Sequence, residues 1–226
     1  MTITEKLTIM DSSLIIHKES EWSGSPNSIE YEAFNDGGVE CEVGEFLYSL
    51  IRLLKPKHVL ETGTHFGIGA SYMGLALKDN GYGSGYLDTF EFLSHIHEIA
   101  VRRIENMSLS SIVFCHLMDV ANFVPDVKYQ LIFLDTEPHT RFKELLQFYP
   151  YLDDGGYIFI HDLPRSMCQG NFNPDHPDDK SWPFGDIPEE MRSLIKEDKL
   201  RPFHLPNPRS LVGFYKVHRE DYKWRD

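Results

Sequence analysis

Cysteine is scarce in this chain: Cys41, Cys115 and Cys168 are the only three in 226 residues. Their odd number and irregular spacing match neither a zinc site nor a disulfide framework. A reduced, cytoplasmic chain is therefore expected. Long apolar runs are also missing. The longest, such as Leu131–Leu134 and Tyr157–Ile160, fall far short of the roughly 20 residues that span a bilayer, so no membrane partner is expected. The first residues lack a basic start followed by an apolar stretch, and no signal peptide is read there. Positive charge is in deficit, with 22 Lys and Arg against 35 Asp and Glu and a net charge of −13. Such a surface repels phosphate backbones, which argues against nucleic acid as a partner. Arg102-Arg103 is the only tight basic pair and reads as a solvated helix face. Internal repeats and low-complexity tracts are absent.

What is present has the size and alternation of one α/β domain. Residues 1–38 are polar and turn-rich around Trp22–Ser28 and at Asn35–Gly38, and read as an N-terminal extension to a domain spanning 39–226. Phe46, Leu47, Leu50, Ile51, Leu53 and Leu54 share a helical face that Pro56 ends. Five short apolar strands follow, at 58–62, 86–90, 112–117, 131–135 and 157–162, with helices between them at 67–78, 93–107 and 140–149. Continuous apolar strands alternating with helices predict a doubly wound, mostly parallel sheet. Residues 163–185 carry four prolines and break the pattern. They read as a long loop beyond the fifth strand, with Phe172, Trp182 and Phe184 as candidates for a lid over an acceptor. A helix starting near Asp186 and an antiparallel hairpin, 201–205 with 211–217, complete the chain.

Ligands of open α/β sheets bind beyond the carboxyl ends of the strands. Strand one ends in Glu61-Thr-Gly63-Thr64-His-Phe66-Gly67-Ile-Gly69 and opens a helix. The glycines allow a sharp turn and close ligand approach, and the helix start offers free N–H groups. The spacing is neither G-x-G-x-x-G nor a P-loop. Strand two ends in Asp88-Thr-Phe-Glu91; either carboxylate could accept two ribose hydroxyls, and either could instead serve the following helix start. Strand three leads to Asp119, strand four to Asp135-Thr-Glu-Pro-His139 and strand five to His161-Asp162. The plain structural alternatives are strand-end caps for the two aspartates and packing for His139.

The E-x-G-x-x-x-G turn resembles the first motif of class I S-adenosylmethionine-dependent methyltransferases. Leu-Ile-Phe-Leu-Asp135 with His139, then Leu-Asp-Asp-Gly-Gly-Tyr-Ile-Phe-Ile-His161-Asp162, is similar to the branch containing macrolide and sugar, cephalosporin-type and catechol-type O-methyltransferases. Asp88-Thr-Phe-Glu91 is similar to the same branch and favours Asp88 for the ribose, while counting back from Ala100 favours Glu91. The resemblance covers residues 39–217. It implies a Rossmann-like seven-stranded sheet and a cofactor, S-adenosylmethionine, held by Glu61, Gly63, Thr64, Phe66, Gly67, Gly69, Asp88, Glu91, Asp119 and Asp135. It implies O-methylation of a small-molecule hydroxyl, with His139, His161 and Asp135 as catalytic candidates. It also implies Mg2+ or another divalent cation on Asp135, Asp162 and His161, the last being either a ligand or the base. Thr136 replaces the usual glycine and Pro138 displaces His139 by one place; two of the usual three oxygen ligands are identified by the resemblance and the third is not. A homo-oligomer is compatible with this reading. The competing expectations are a non-catalytic S-adenosylmethionine-binding protein and a nicotinamide-dependent Rossmann-like oxidoreductase.

Overall fold

A computed structural model describes residues 1–20, 30–81, 83, 85–137, 139–162, 188–205, 209 and 211–218. The chain forms two compact units, Met1–Val124 and Pro125–Asp226. The long 163–185 loop, its candidate lid residues, Asp186 and the Trp22–Ser28 turn lie outside the described residues.

The first unit opens on helix α1 (Ile3–Met10). Thr2 and Glu5 cap it reciprocally, each side chain taking the other's backbone N–H. Strands β1 (Ile16–Ser20) and β2 (Glu30–Phe34) then pair antiparallel as a separate two-stranded sheet. The described parts of the N-terminal extension, residues 1–20 and 30–38, thus carry more regular structure than the polar composition suggests. Leu7, Leu14, Tyr31, Ala33 and Phe34 are buried, and a few such anchors suffice where the neighbouring helices supply the rest of the core.

Helix α2 (Cys41–Leu54) buries Cys41, Val43, Gly44, Leu47 and Ile51, and ends on a left-handed Lys55 just before Pro56. The buried face is rotated from the expected one, since Leu53 and Leu54 are exposed. Gly44 lies on the buried face. A Cβ there would lie 2.3 Å from the ring of the fully buried Tyr72, so helix α3 (Ile68–Asp79) approaches at a glycine. Gly44→Ala is expected to cost about 1–3 kcal/mol by overpacking, read as a lower thermal midpoint; an unchanged midpoint would show that the ring yields freely.

Helix α3 is buried from Ile68 through Leu77, as a helix apolar on all sides must be. Strands β3 (His58–Thr62), β4 (Tyr86–Glu91) and β5 (Val113–Leu117) are parallel, in the order β5-β4-β3, with Glu61 beside Thr89 and Glu91 beside Leu117. Helix α4 (Ser94–Asn106) buries Ala100, Arg103 and Ile104. The solvated reading of the Arg102-Arg103 pair holds for Arg102 alone; Arg103 is buried because it finds two carboxylates.

In the second unit β6 (Tyr129–Leu134) and β7 (Leu152–His161) are parallel, and β8 (Leu200–Leu205) and β9 (Leu211–Lys216) add antiparallel strands in the order β6-β7-β9-β8. Helices α5 (Arg141–Phe148) and α6 (Glu189–Lys196) complete it. The seven strands β3 to β9 make the expected mostly parallel sheet with its C-terminal antiparallel hairpin.

Candidate functional site

In the first unit the glycine turn is tied to the ends of β3 and β4. Gly63 and Gly67 both have φ of 81°, a left-handed conformation that glycine adopts without strain. The N–H groups of Gly63 and Thr64 donate to the Phe90 carbonyl at 3.1 and 2.9 Å. Buried Glu61 accepts from the Thr89 hydroxyl at 2.5 Å, and Thr89 shares a second hydroxyl contact, also 2.5 Å, with Thr64. Gly69 must lack a side chain, because a Cβ would come 2.3 Å from Glu61 Oε1.

Alternation along β4 separates the two ribose candidates, since successive residues point to opposite faces. Thr89 and Glu91 share the face of the glycine turn. Glu91 accepts from the His65 N–H at 3.1 Å through Oε2 and from the Leu93 N–H at 2.9 Å through Oε1. A carboxylate offers about four lone-pair positions, so two are left for a ligand. Asp88 and Phe90 lie on the other face. Asp88 Oδ1 is 2.8 Å from His116 Nε2, and His116 stacks on Phe90 at 4.7 Å and 18°. His116 thus holds the candidate Asp88. Asp119 is exposed and caps a single turn of 3-10 helix by accepting from the Ala121 N–H at 2.9 Å. Phe66 is half-buried and packs on exposed His65, ring centroids 4.1 Å apart.

Arg103 ties the turn to the N-terminal extension. Its Nε donates to Asp11 at 2.9 Å, one terminal nitrogen to Asp36 and the other to the Phe66 carbonyl. Sequence reading missed this arginine; its place beside Ala100 and Ile104 on the apolar stripe of α4 was the available signal.

In the second unit Asp135, His161 and Asp162 come together, with one potential ligand atom from each lying within 4.8 Å of the others. His161 is fully buried at the end of β7, and its Nδ1 is 3.0 Å from Asp135 Oδ1 and 3.7 Å from Asp162 Oδ2. Arg141, buried at the start of α5, donates to Asp135 at 3.2 Å. Arg209, from the segment between β8 and β9, donates from Nε to Asp162 Oδ1 at 2.7 Å and from a terminal nitrogen to Oδ2. Burial pushes the Asp135 carboxyl up, but His161, Arg141 and Arg209 together outweigh it and hold the group below the usual carboxylate range. Asp162 adopts a left-handed φ of 51°, which aspartate tolerates better than most residues. His139 is exposed in the turn before α5 and is not part of this cluster. Neither arginine was read from sequence, because nothing in Pro206-Asn-Pro-Arg-Ser or in the start of α5 marks them.

Cys41 and Cys115, the cysteines among the described residues, lie outside this cluster. Burial pushes Cys41 up to about 12 and, with Glu61 adding to it, Cys115 up to about 12, so both stay protonated and poor nucleophiles near neutral pH.

Comparison with known proteins gives one direction. A methyltransferase-domain family matches residues 60–163, which hold the glycine turn, both ends of β4 and the Asp135–His161–Asp162 cluster. A protein of Mycobacterium sp. (strain KMS) named "Putative O-methyltransferase" is 25% identical over 174 residues, covering 75% of each chain. A second, from Mycolicibacterium smegmatis, is 22% identical over 75% of this chain and 79% of its own. Among solved structures, the O-methyltransferase TomG of Streptomyces achromogenes, in complex with S-adenosylmethionine, superposes with a TM-score of 0.63 at 17% identity, covering 81% and 83% of the two chains. The Bacillus cereus O-methyltransferase, in complex with S-adenosylhomocysteine, gives 0.63 at 17%, covering 79% and 82%. With the seven-stranded sheet and the glycine turn both in place, the chain has the fold of the class I methyltransferases, and its residues 60–163 match a methyltransferase-domain family.

Proposed function

We propose that this chain transfers a methyl group from S-adenosylmethionine to a hydroxyl of a small molecule in a reducing, cytoplasmic compartment. The observation that carries the reading is the pairing of Glu91 with the glycine turn. A buried carboxylate at the end of β4 spends two lone pairs on the N–H groups of His65 and Leu93 and keeps two for a diol such as a ribose. Glu91 takes that role, and Asp88 acts through His116 on the other face. Glu61, Gly63, Thr64, Phe66, Gly67 and Gly69 complete the cofactor side.

On the acceptor side Asp135 stays ionised, so it is a weak base near neutral pH. The proton of the acceptor hydroxyl is assigned to His161, the imidazole of the cluster, since histidine is the side chain most often used as a general base. Asp135 orients that ring and stabilises the imidazolium formed, the usual division of labour between a carboxylate and a histidine. The deprotonated oxygen then attacks the methyl carbon in line and the sulfonium sulfur leaves as a neutral thioether. Holding two reactants in line can remove a large part of the barrier. The O-methyltransferase names of the mycobacterial proteins, TomG and the Bacillus cereus enzyme support oxygen as the acceptor atom.

Calorimetry is the direct test. S-Adenosylmethionine and S-adenosylhomocysteine are expected to bind with dissociation constants on the order of micromolar, and NAD and NADP not at all. Binding of a nicotinamide cofactor in their place would overturn the reading.

A further inference from the structure

The cluster at Asp135, His161 and Asp162 has the donor spacing of a cation site, and the resemblance to metal-assisted methyltransferases makes a divalent ion the obvious occupant. Its partners fit that occupant poorly. Arg209 spans both oxygens of Asp162 with a side-on fork, Nε to Oδ1 at 2.7 Å and a terminal nitrogen to Oδ2. This planar, bidentate match is the geometry in which guanidinium and carboxylate bind each other best. Buried Arg141 sets a second guanidinium on Asp135 at 3.2 Å. His161 faces Asp135 through Nδ1 at 3.0 Å. A ring nitrogen facing a carboxylate oxygen carries its proton, so this nitrogen has no lone pair for a metal.

Among the described residues, each carboxylate of the cluster already has a guanidinium of its own, Asp135 that of Arg141 and Asp162 that of Arg209. A hard cation such as Mg2+ needs oxygen ligands that keep their negative charge available. Here it would add two positive charges beside two that are already present and cannot be titrated away.

We infer that Arg209, with Arg141, supplies from the chain itself the positive charge that a divalent ion brings to metal-assisted relatives, so that methyl transfer here proceeds without a metal. This rests on the proposed reading of the cluster as the acceptor side of a methyltransferase. Arg209 is a positioning residue: it fixes Asp162 and closes the cluster to cations. The inference gives the chain's departures from the family pattern a common cause. Among the described residues no third carboxylate joins Asp135 and Asp162 in the cluster, and Thr136 stands where glycine is usual, because no ion has to be coordinated.

The test uses the full chain with Mn2+ as the probe, read by loss of the free-ion paramagnetic resonance signal, with S-adenosylmethionine binding measured on the same preparations. The wild-type chain should leave the Mn2+ signal unchanged at submillimolar concentration, and a chelator should not shift its thermal midpoint. Arg209→Met should take up Mn2+ at least about tenfold more tightly. Arg209→Lys, which keeps the charge, should stay closed like the wild type, and it remains informative if the methionine variant does not fold. Three outcomes would overturn the inference: stoichiometric Mn2+ uptake by the wild type that Asp162→Asn abolishes, uptake by Arg209→Lys, or no uptake by a folded Arg209→Met. Failure of cofactor binding would sink the methyl-transfer reading separately, since the Mn2+ signal does not depend on it.

Discussion

Glu91→Ala is expected to weaken S-adenosylmethionine binding by about 100-fold, close to 2.8 kcal/mol at 1.4 kcal/mol per tenfold, while Asp88→Ala changes it by less than about threefold. The reason is the face each carboxylate occupies. Glu91 lies with Thr89 on the side of the glycine turn and also holds the His65 N–H. Its removal takes away the ribose partner and one anchor of the turn together. Hydrogen bonds to a charged group are worth about 1.5–3 kcal/mol each, so losing two accounts for the expected drop. Asp88 contacts His116 on the opposite face, and its loss acts on packing. Glu91→Gln separates the two functions of Glu91, since an amide oxygen can still accept the His65 N–H but the –NH2 cannot accept a hydroxyl. Its affinity should fall between those of the alanine variant and the wild type, by about tenfold from the latter. Equal losses for Asp88→Ala and Glu91→Ala in titration calorimetry would refute the assignment.

The second large effect is expected at Arg103. Its side chain is only 4% exposed and serves Asp11, Asp36 and the Phe66 carbonyl at once. Removing one partner of a buried ion pair typically costs about 3–5 kcal/mol. Asp36 is 28% exposed and recovers some hydration, so Arg103→Ala should sit near 3 kcal/mol, or about 6–12 °C in a chain of this size. Residues 1–38 should become open to proteolysis before the rest of the chain, because Asp11 and Asp36 fasten that segment. Cofactor affinity should fall too, through the loosened Phe66 backbone. Asp11 makes the effect pH-dependent. Burial pushes its carboxyl up, but hydrogen bonds from Ser13 and Arg103 and the arginine's charge outweigh burial and hold it below the ordinary value of 3.8. A lowered native value means that the stabilisation is complete above the ordinary value and is lost as pH falls through the native one. In Arg103→Ala much of that lowering disappears, so acid unfolding followed by circular dichroism should begin at a higher pH. Coincident acid transitions for variant and wild type would show that Asp11 is held by Ser13 alone.

How much of this was legible in the sequence depends on the range of the interaction. The inner strands β3 and β6 could be placed within a few residues because continuous apolar runs mark strands buried on both faces. The turn at Gly63 and Gly67 could be placed because only glycine takes a φ of 81° there without strain. The cluster of Asp135, His161 and Asp162 was anticipated because strand ends deliver their residues to one edge of a sheet. The N-terminal elements were not, since Leu7, Leu14 and Phe34 are too sparse to show a period and derive their order from the packing around them.

What the sequence by itself determined is therefore the fold class, the position of the glycine turn and the set of carboxylates from which the site is drawn. The tertiary structure gave those carboxylates different partners. Asp88 and Glu91 stand three residues apart in one strand, and only the side chains around them distinguish a residue bound to His116 from one bound to the glycine turn. It also supplied the arginines. Arg103 lies 92 and 67 residues from its two aspartates, and Arg209 lies 47 from Asp162. Charge pairing over such separations leaves no local pattern, because the electrostatic gain depends on distance and burial in space rather than on order along the chain.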